Sequence, residues 1–214
     1  MTNGKPKVLL IGDYAEAPYH PLGAVEGRLR EHLEERWEFA ATEDYGQLTG
    51  DQIAGTRLCI SYADRWDRPA TSEQTAGLVS FVAGGGGLLV LHSGISLQAR
   101  PEAAQMIGAR FTGHPPYREL EFKVASPSHP VMEGIIPFTM EEEPYRFEFD
   151  PFSDHEILLT YRDDEGGDWP AAWARRFGLG RIVFLMPGHH LASFQHSGYG
   201  KLIRNAADWA GHRI

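Results

Sequence analysis

The chain has 214 residues, of which 42% are hydrophobic and 23% charged; this is ordinary for a globular protein and excludes a disordered or coiled-coil chain. Its 29 acidic and 20 basic residues give a net charge of −9, so the overall electrostatic field disfavours nucleic acid and anionic membranes as partners. A single cysteine, Cys59, excludes an internal disulfide, and no apolar run approaches the ~20 residues of a membrane span. Because the N-terminal residues also show no signal-peptide pattern, we expect a cytoplasmic protein.

The first half of the chain alternates between short apolar runs and amphipathic segments. The runs predict strands at Lys7–Ile11, Trp37–Thr42, Arg57–Ala63 and Leu88–Leu91. One helix, running to about residue 36, is predicted from apolar residues at every fourth position, namely Val25, Leu29 and Leu33. A second helix begins after Thr71, because Gln74 three residues later completes a capping-box pattern. This alternation predicts a parallel sheet covered by helices on both faces.

The second half of the chain has no long helix between its strands. Strand-like segments lie at Glu119–Ala125, Glu156–Arg162, Ala171–Arg176 and Arg181–Met186. Phe177–Gly180 is typical of a hairpin turn, Pro127–Pro151 is the least regular segment, and an amphipathic helix closes the chain. At ~150 residues per domain, we predict one α/β domain over residues 1–214, with a mostly parallel sheet and an antiparallel C-terminal extension.

Four consecutive glycines, Gly84–Gly87, do not predict a nucleotide site. A phosphate-binding loop follows a strand and begins a helix, whereas these glycines end a helix and lead into a strand. They indicate a helix C-cap and a tight turn. Only Gly12 follows the first predicted strand, so the dinucleotide fingerprint is absent and we expect no nucleotide cofactor.

The turn after the fourth strand, with His92 and Ser93, is a candidate site. Ligands of open parallel sheets bind beyond the carboxyl ends of the strands, and a strand, sharp turn and helix form a nucleophile elbow. Ser93 would then be the nucleophile; the alternative is that Ser93 caps the next helix while His92 bonds at the sheet edge. A glutamine amidotransferase needs a cysteine at this elbow, but Cys59 lies inside the third strand.

Further histidines and an acidic triplet occupy comparable places. His114 lies in a proline-rich turn, Glu141–Glu143 follows later, and His189 comes directly after the last strand. Since His92 and His189 both follow apolar strands, their rings meet in one cleft if those strands are parallel neighbours. Two or three histidines with a carboxylate form the ligand set of a catalytic zinc-like site. The alternatives are capping or surface histidines and a solvated acidic loop.

Other residues could complete the same cleft. His20, in the loop after the first strand, is able to reach it. Several aromatic rings would form a wall for the C–H faces of a sugar, or else pack in the core: Tyr117, Tyr145, Trp169, Trp173 and Phe194.

Taken in order, several segments resemble the trehalose-utilisation (ThuA-like) family. They are Gly86–His92, Phe111–Pro115, Ser128–Ile135, the acidic pair before Tyr145, Phe177–Phe184, Pro187–His189 and the terminal helix through Asn205–Ala210. The resemblance runs along most of the chain. It implies a three-layer sandwich of the flavodoxin-like, class I glutamine-amidotransferase-like type.

The resemblance also implies a role in bacterial carbohydrate metabolism, on oxidised (3-keto) sugars or glycosides. Carried over residue by residue, it implies a site lined by His92, His114, Glu143 and His189. Two positions depart from the family pattern: Glu142 occupies the usual place of an aspartate, and the His20 loop is only loosely similar.

Three functions follow as hypotheses. The leading one is a sugar-processing hydrolase or lyase in which His92, His114 and His189 hold a divalent metal, zinc or manganese, and Glu143 is the general base. The second is a metal-free hydrolase centred on Ser93. The third is a non-catalytic sugar-binding or assembly module.

The leading hypothesis also assigns His92 a catalytic role beside its metal-binding role. It places Tyr145, Glu142 and His20 in contact with the substrate, a small-molecule carbohydrate. The protein is not expected to be a glutamine amidotransferase. The oligomeric state stays open at this point; a homo-oligomer is the alternative to a monomer, because most soluble oligomers are of this kind.

Overall fold

A computed structural model describes residues 4–162 and 166–214 of the chain. Its strands are β1 (Lys7–Gly12), β2 (Glu38–Thr42), β3 (Leu58–Tyr62), β4 (Gly87–Leu91), β5 (Ala109–Gly113), β6 (Arg118–Val124), β7 (Phe138–Glu142), β8 (Arg146–Phe149), β9 (Glu156–Arg162), β10 (Asp168–Phe177) and β11 (Gly180–Leu185). Its α-helices are α1 (Leu22–Leu33), α2 (Gly50–Ile53), α3 (Ser72–Ala83), α4 (Pro101–Ile107), α5 (Leu191–Gln195) and α6 (Ser197–Ala210).

Nine of these strands form one sheet, in the order β2-β1-β3-β4-β11-β10-β9-β6-β7. The strands from β2 to β11 in this order pair in parallel, and those from β11 to β7 pair antiparallel. β5 and β8 form a separate two-stranded antiparallel sheet. The predicted α/β fold, with a mostly parallel sheet and an antiparallel extension, is confirmed.

The parallel strands follow from continuous apolar runs. Every residue of β3 and β4 is buried, as strands covered on both faces require. On α1 the predicted stripe of Val25, Leu29 and Leu33 is buried, and α1 packs with α5 and α6. On α3 the capping box is present, because the Thr71 hydroxyl accepts from the Gln74 backbone N–H at 3.2 Å and the Gln74 side chain accepts from the Thr71 N–H at 2.9 Å.

The glycine turn before β4 is confirmed as a structural feature. Gly84 caps the C-terminus of α3, and Gly87 is the first residue of β4. A Cβ at Gly87 would collide with the Ala210 carbonyl at the end of α6. The glycines therefore allow the terminal helix to approach the sheet closely.

The segment 127–151 is more regular than its sequence indicates, since it contains β7 and β8. β10 and β11 form the predicted hairpin, with Gly178 at a φ of +58° in its turn. Across residues 4–162 and 166–214, no helix is both long enough and apolar enough to cross a bilayer.

Candidate functional site

Four side chains from separate segments converge at the carboxyl edge of the parallel strands. His20 lies in the loop after β1, His92 follows β4, Glu143 follows β7 and His189 follows β11. One ligand atom from each of the four lies within 4.8 Å of the others. We refer to His20, His92, Glu143 and His189 as the His/Glu cluster. Its formation agrees with the expectation that histidines ending parallel strands share one cleft.

His92 is fixed in a strained position at the end of β4. It is fully buried and has a φ of 45°, which is uncommon for a residue with a side chain. Its Nδ1 lies 2.6 Å from the Met186 carbonyl oxygen, which can only accept, so Nδ1 carries the proton. Nε2 is then the nitrogen that faces Glu143 Oε2, at 3.2 Å.

His20 is held by a second carboxylate. Its Nδ1 lies 3.3 Å from Oδ2 of Asp64, just after β3, and its Nε2 lies 3.0 Å from Nδ1 of His189. Burial lowers the pKa of His20, and the nearby His92 and His189 lower it further, against the opposing effect of Asp64. His20 is therefore neutral near pH 7, with Nδ1 on the side of Asp64 and Nε2 on the side of His189, and its backbone N–H donates to Asp64 Oδ2 at 3.3 Å.

His189 is presented by a tightly packed loop. Its Nδ1 lies 3.0 Å from Oε2 of Glu143 as well as 3.0 Å from Nε2 of His20. Gly188 before it has a φ of +144°, and a Cβ there would lie 2.9 Å from the Cβ of His92. The Tyr62 hydroxyl donates to the Gly188 carbonyl at 2.8 Å. Only glycine fits this loop while His92 and His189 remain this close.

Glu143 supplies the negative charge of the cluster. Burial opposes its ionisation, but the imidazoles of His189 and His92, 3.0 and 3.2 Å from its Oε2, outweigh burial and hold the pKa of Glu143 well below its usual range. The carboxylate is therefore ionised at neutral pH. Its second oxygen, Oε1, lies 3.6 Å from Nε2 of His114.

The convergent atoms of the cluster are of the kinds that bind metals in proteins, and this decides what the cluster can hold. Nε2 of His20 and His92, Nδ1 of His189 and a carboxylate oxygen of Glu143 all point to one space. Such an array repels itself unless protons or a cation lie between its members. Three imidazoles and one carboxylate match the ligands preferred by zinc and similar divalent metals, and Asp64 and the Met186 carbonyl orient two of the rings.

The sequence analysis expected His92, His114 and His189 to hold a metal. In the structure, His114 lies near the cluster but is not one of its members. Its Nδ1 lies 2.9 Å from the Pro115 carbonyl oxygen, and its side chain is 34% exposed on the rim. The proline-rich turn after β5 therefore holds the ring outside the group, and His20 occupies the inner position. His20 is buried with the cluster, so it does not form an open substrate-binding surface.

The structure does not support the predicted role of Ser93 as a nucleophile. Ser93 is fully buried, and its hydroxyl has no hydrogen-bond partner among the described residues. The sharp backbone turn falls on His92, one residue earlier, so it is His92 that points to the cleft. Within residues 4–162 and 166–214, no base forms a hydrogen bond with Ser93 that could take its proton.

Two predicted substrate contacts, Glu142 and Tyr145, are buried. Glu142 is fully buried and accepts only from protein donors in the described structure, including the backbone N–H of Gly188 at 2.6 Å. Tyr145 is 2% exposed and its ring stacks on His92 at 4.3 Å between centroids. Both hold the site together from within and offer too little surface to contact a substrate.

Most of the predicted aromatic wall also belongs to the core, because Trp173 and Phe194 are fully buried. Trp169 is partly exposed but is covered by the guanidinium of Arg146, 3.7 Å from its ring. Tyr117 does lie at the rim: it is 36% exposed and its ring centroid is 5.6 Å from that of His189. Tyr19, which is 70% exposed, lies next to His20, with 6.3 Å between the ring centroids.

Sequence reasoning missed Asp64 and Tyr19. Asp64 had a usable signal, because it follows β3 at the same edge of the sheet at which His92 and His189 follow their strands. Tyr19 had none beyond its position next to His20.

The chain was compared with known proteins. The sequence model of the ThuA family, described as trehalose utilisation, matches residues 9–210. No curated protein matches the chain. Among solved structures, a ThuA-like protein from Parabacteroides merdae is similar with a TM-score of 0.82 and 18% identity, over 97% of this chain and 90% of that one.

Two more structures are similar in fold. A ThuA-like protein from Bacteroides uniformis has a TM-score of 0.77 and 18% identity, over 98% of this chain and 93% of that one. A cytoplasmic protein from Salmonella typhimurium LT2 has a TM-score of 0.71 and 12% identity, over 95% of this chain and 99% of that one. The fold is that of the class I glutamine-amidotransferase-like proteins. Because the family model spans most of the chain, the protein belongs to the ThuA family, associated with trehalose utilisation in carbohydrate metabolism.

Proposed function

We propose that the protein is a carbohydrate-modifying enzyme that binds a divalent cation, zinc or manganese, through the His/Glu cluster. The observation that carries this proposal is the convergence of three imidazole nitrogens and one ionised carboxylate within 4.8 Å. Family membership supplies the carbohydrate context. The nearby Asp64 supports a ligand role for His20, since metal-bound histidines usually donate their other N–H to a carboxylate or carbonyl.

The reaction that fits these residues is elimination from a 3-keto-glycoside. A bound divalent cation supplies Lewis acidity toward the keto oxygen. A base removes the proton at C2, the C–H electron pair forms the C1–C2 double bond, and the C1–O bond breaks. The aglycone oxygen takes a proton from water at the exposed rim, so the step needs no oxidant or reductant.

His114 is better suited than Glu143 to take the C2 proton. Because Nδ1 of His114 donates to the Pro115 carbonyl, Nε2 is the nitrogen that faces the site, and it lies 3.6 Å from Glu143 Oε1 beside the cluster. Glu143 is held ionised by His92 and His189 and is therefore a weak base. Glu143 acts instead as a ligand, and His114 receives the proton at Nε2.

Tyr117 and Tyr19 are the residues that would contact the sugar ring. Both are exposed beside members of the cluster, at the partly buried His189 and the buried His20 respectively. Aromatic faces stack on the C–H faces of pyranose rings while the phenol hydroxyl remains available to polar groups. The rim therefore has the chemistry of a carbohydrate-binding surface.

The proposal is tested with the purified protein and its His92→Ala and His189→Ala variants. The control is His212→Asn, which changes an exposed histidine outside the cluster. Bound metal is measured by elemental analysis, and turnover is measured with a 3-keto-glucoside. We expect the two cluster variants to lose both metal and turnover while His212→Asn retains them. Unchanged turnover in the cluster variants would reject the site, and sugar binding without turnover in the metal-loaded protein would favour a non-catalytic module.

A further inference from the structure

Glu142, the neighbour of Glu143, is a fully buried carboxylate with an unusual set of partners. Its Oε2 accepts from the Gly188 backbone N–H at 2.6 Å and from the Ser193 hydroxyl at 2.7 Å. Its Oε1 accepts from the backbone N–H groups of His189 and of Glu143, each at 3.1 Å. Burying a carboxylate costs free energy unless its lone pairs are satisfied, and here four neutral donors satisfy them.

Three of these four donors belong to the two segments that carry His189 and Glu143 from different strands of the sheet, and the fourth, Ser193, lies on α5. Two belong to the Gly188-His189 loop after β11, and one is the amide of Glu143 itself after β7. A shift of Glu142 would therefore move His189 and Glu143 relative to each other. Nδ1 of His189 lies 3.0 Å from Oε2 of Glu143, so a small displacement changes the geometry of the cluster.

We infer that Glu142 is a positioning residue, which sets the distance between the ligand atoms of His189 and Glu143 through their backbones. This inference rests on the proposed metal site. Glu142 itself touches neither the metal nor the substrate, because its carboxylate is enclosed by the donors described above.

Glutamine cannot replace Glu142 without a mismatch. All the groups that face the carboxylate are donors, and three of them are backbone N–H groups that cannot reverse their polarity. In Glu142→Gln, the side-chain NH₂ group would face at least one backbone N–H group in either orientation of the amide. Glu142→Asp retains the charge but is one methylene shorter and cannot span the same donors.

The test measures zinc affinity by competition with a chromophoric chelator for wild type, Glu142→Gln, Glu142→Asp and Glu141→Gln. Glu141 is the exposed neighbour, so Glu141→Gln makes the same charge change without the contacts. We expect both Glu142 variants to lose about 10- to 100-fold in affinity, as substitutions behind metal ligands do, and Glu141→Gln to match wild type. Wild-type affinity in Glu142→Asp would overturn the inference, because charge alone would then suffice.

A second measurement separates this inference from the metal proposal. The imidazole ¹⁵N spectrum of the metal-free protein reports His189 directly, and we expect its signals to shift in Glu142→Gln but not in Glu141→Gln. Wild-type protein that binds no zinc rejects the proposed metal site, whereas an unmoved His189 spectrum rejects the role of Glu142. If Glu142→Gln does not fold, Ser193→Ala removes one of the same bonds; reduced zinc affinity supports the inference and unchanged affinity overturns it.

Discussion

The parallel and antiparallel halves of the sheet contribute different things to the site. The parallel half supplies His20, His92 and His189, whose side chains are 6%, 0% and 13% exposed and which follow apolar strands directly or within a short loop. The antiparallel half supplies Glu143, and the segment between β5 and β6 supplies the rim residues His114 and Tyr117. The four proposed metal ligands are thus the less exposed groups, at 13% or below, and the proposed reactive and sugar-binding groups, His114 and Tyr117, are 34% and 36% exposed. The proposal therefore predicts that metal binding and substrate chemistry are separable by substitution.

The largest effect should come from His114 at the rim. In His114→Ala we expect turnover of a 3-keto-glucoside to fall by about 10²- to 10⁴-fold, which is the usual contribution of a general base, with zinc affinity unchanged. Steady-state kinetics and chelator competition on the same samples check this. Loss of zinc affinity together with turnover would place His114 among the ligands and remove the distinction between the halves.

A smaller effect is expected behind the buried ligands, at Asp64. Asp64→Asn weakens the hold on His20 Nδ1, and we expect zinc affinity to fall by about 10- to 100-fold. The exposed Asp67→Asn is the matched control and should leave the affinity as it is in wild type. Equal affinities for the two variants would show that His20 does not depend on Asp64.

Tyr117 tests the binding surface of the rim. Tyr117→Ala should weaken binding of the sugar by about 2- to 10-fold, in line with about 0.5–1.5 kcal/mol for an aromatic contact, while Tyr117→Phe stays near wild type. Calorimetry of a non-reactive sugar analogue with both variants provides the measurement. A loss in Tyr117→Phe as large as that in Tyr117→Ala would mean that the hydroxyl, not the ring face, contacts the sugar.

The smallest effect concerns pH and lies away from the site, at His32 on α1. Its Nε2 donates to the Phe194 carbonyl at 2.8 Å, and its Nδ1 lies 3.3 Å from a guanidinium nitrogen of Arg204. Burial lowers the pKa of His32, and Arg204 lowers it further, against the opposing effect of the Phe194 hydrogen bond. The folded protein thus binds fewer protons than the unfolded chain near the ordinary histidine pKa of about 6.5.

The free energy of unfolding should therefore fall as the pH drops below about 6.5. The fall should end once the pH is below the lowered pKa of folded His32. His32→Gln should reduce the change of unfolding free energy with pH by an amount that corresponds to at most one proton per molecule. Urea unfolding at a series of pH values measures this change, with the exposed His190→Gln as the control. An identical slope in wild type and His32→Gln would contradict the assignment.

The parallel half could be predicted from the sequence because both of its faces are covered, so its strands are continuous apolar runs. β7 was missed because it is an edge strand whose residues alternate between partly buried and exposed, within a segment rich in prolines and acids. His92 and His189 could be placed because each follows its strand within a few residues. The sequence could not show which of His20 and His114 belongs to the cluster. The direction of each ring depends on its contacts, with Asp64 for His20 and with the Pro115 carbonyl for His114.

The members of the His/Glu cluster are drawn from residues as far apart in the chain as 20 and 189. An ion bound there would act as a cross-link between segments that otherwise meet through packing and hydrogen bonds. Because a ligand that binds only the folded chain stabilises it, resistance to heat and to proteases would rise with the supply of metal. The lifetime of this protein in a cell would then depend on the concentration of available metal ions as well as on its own sequence.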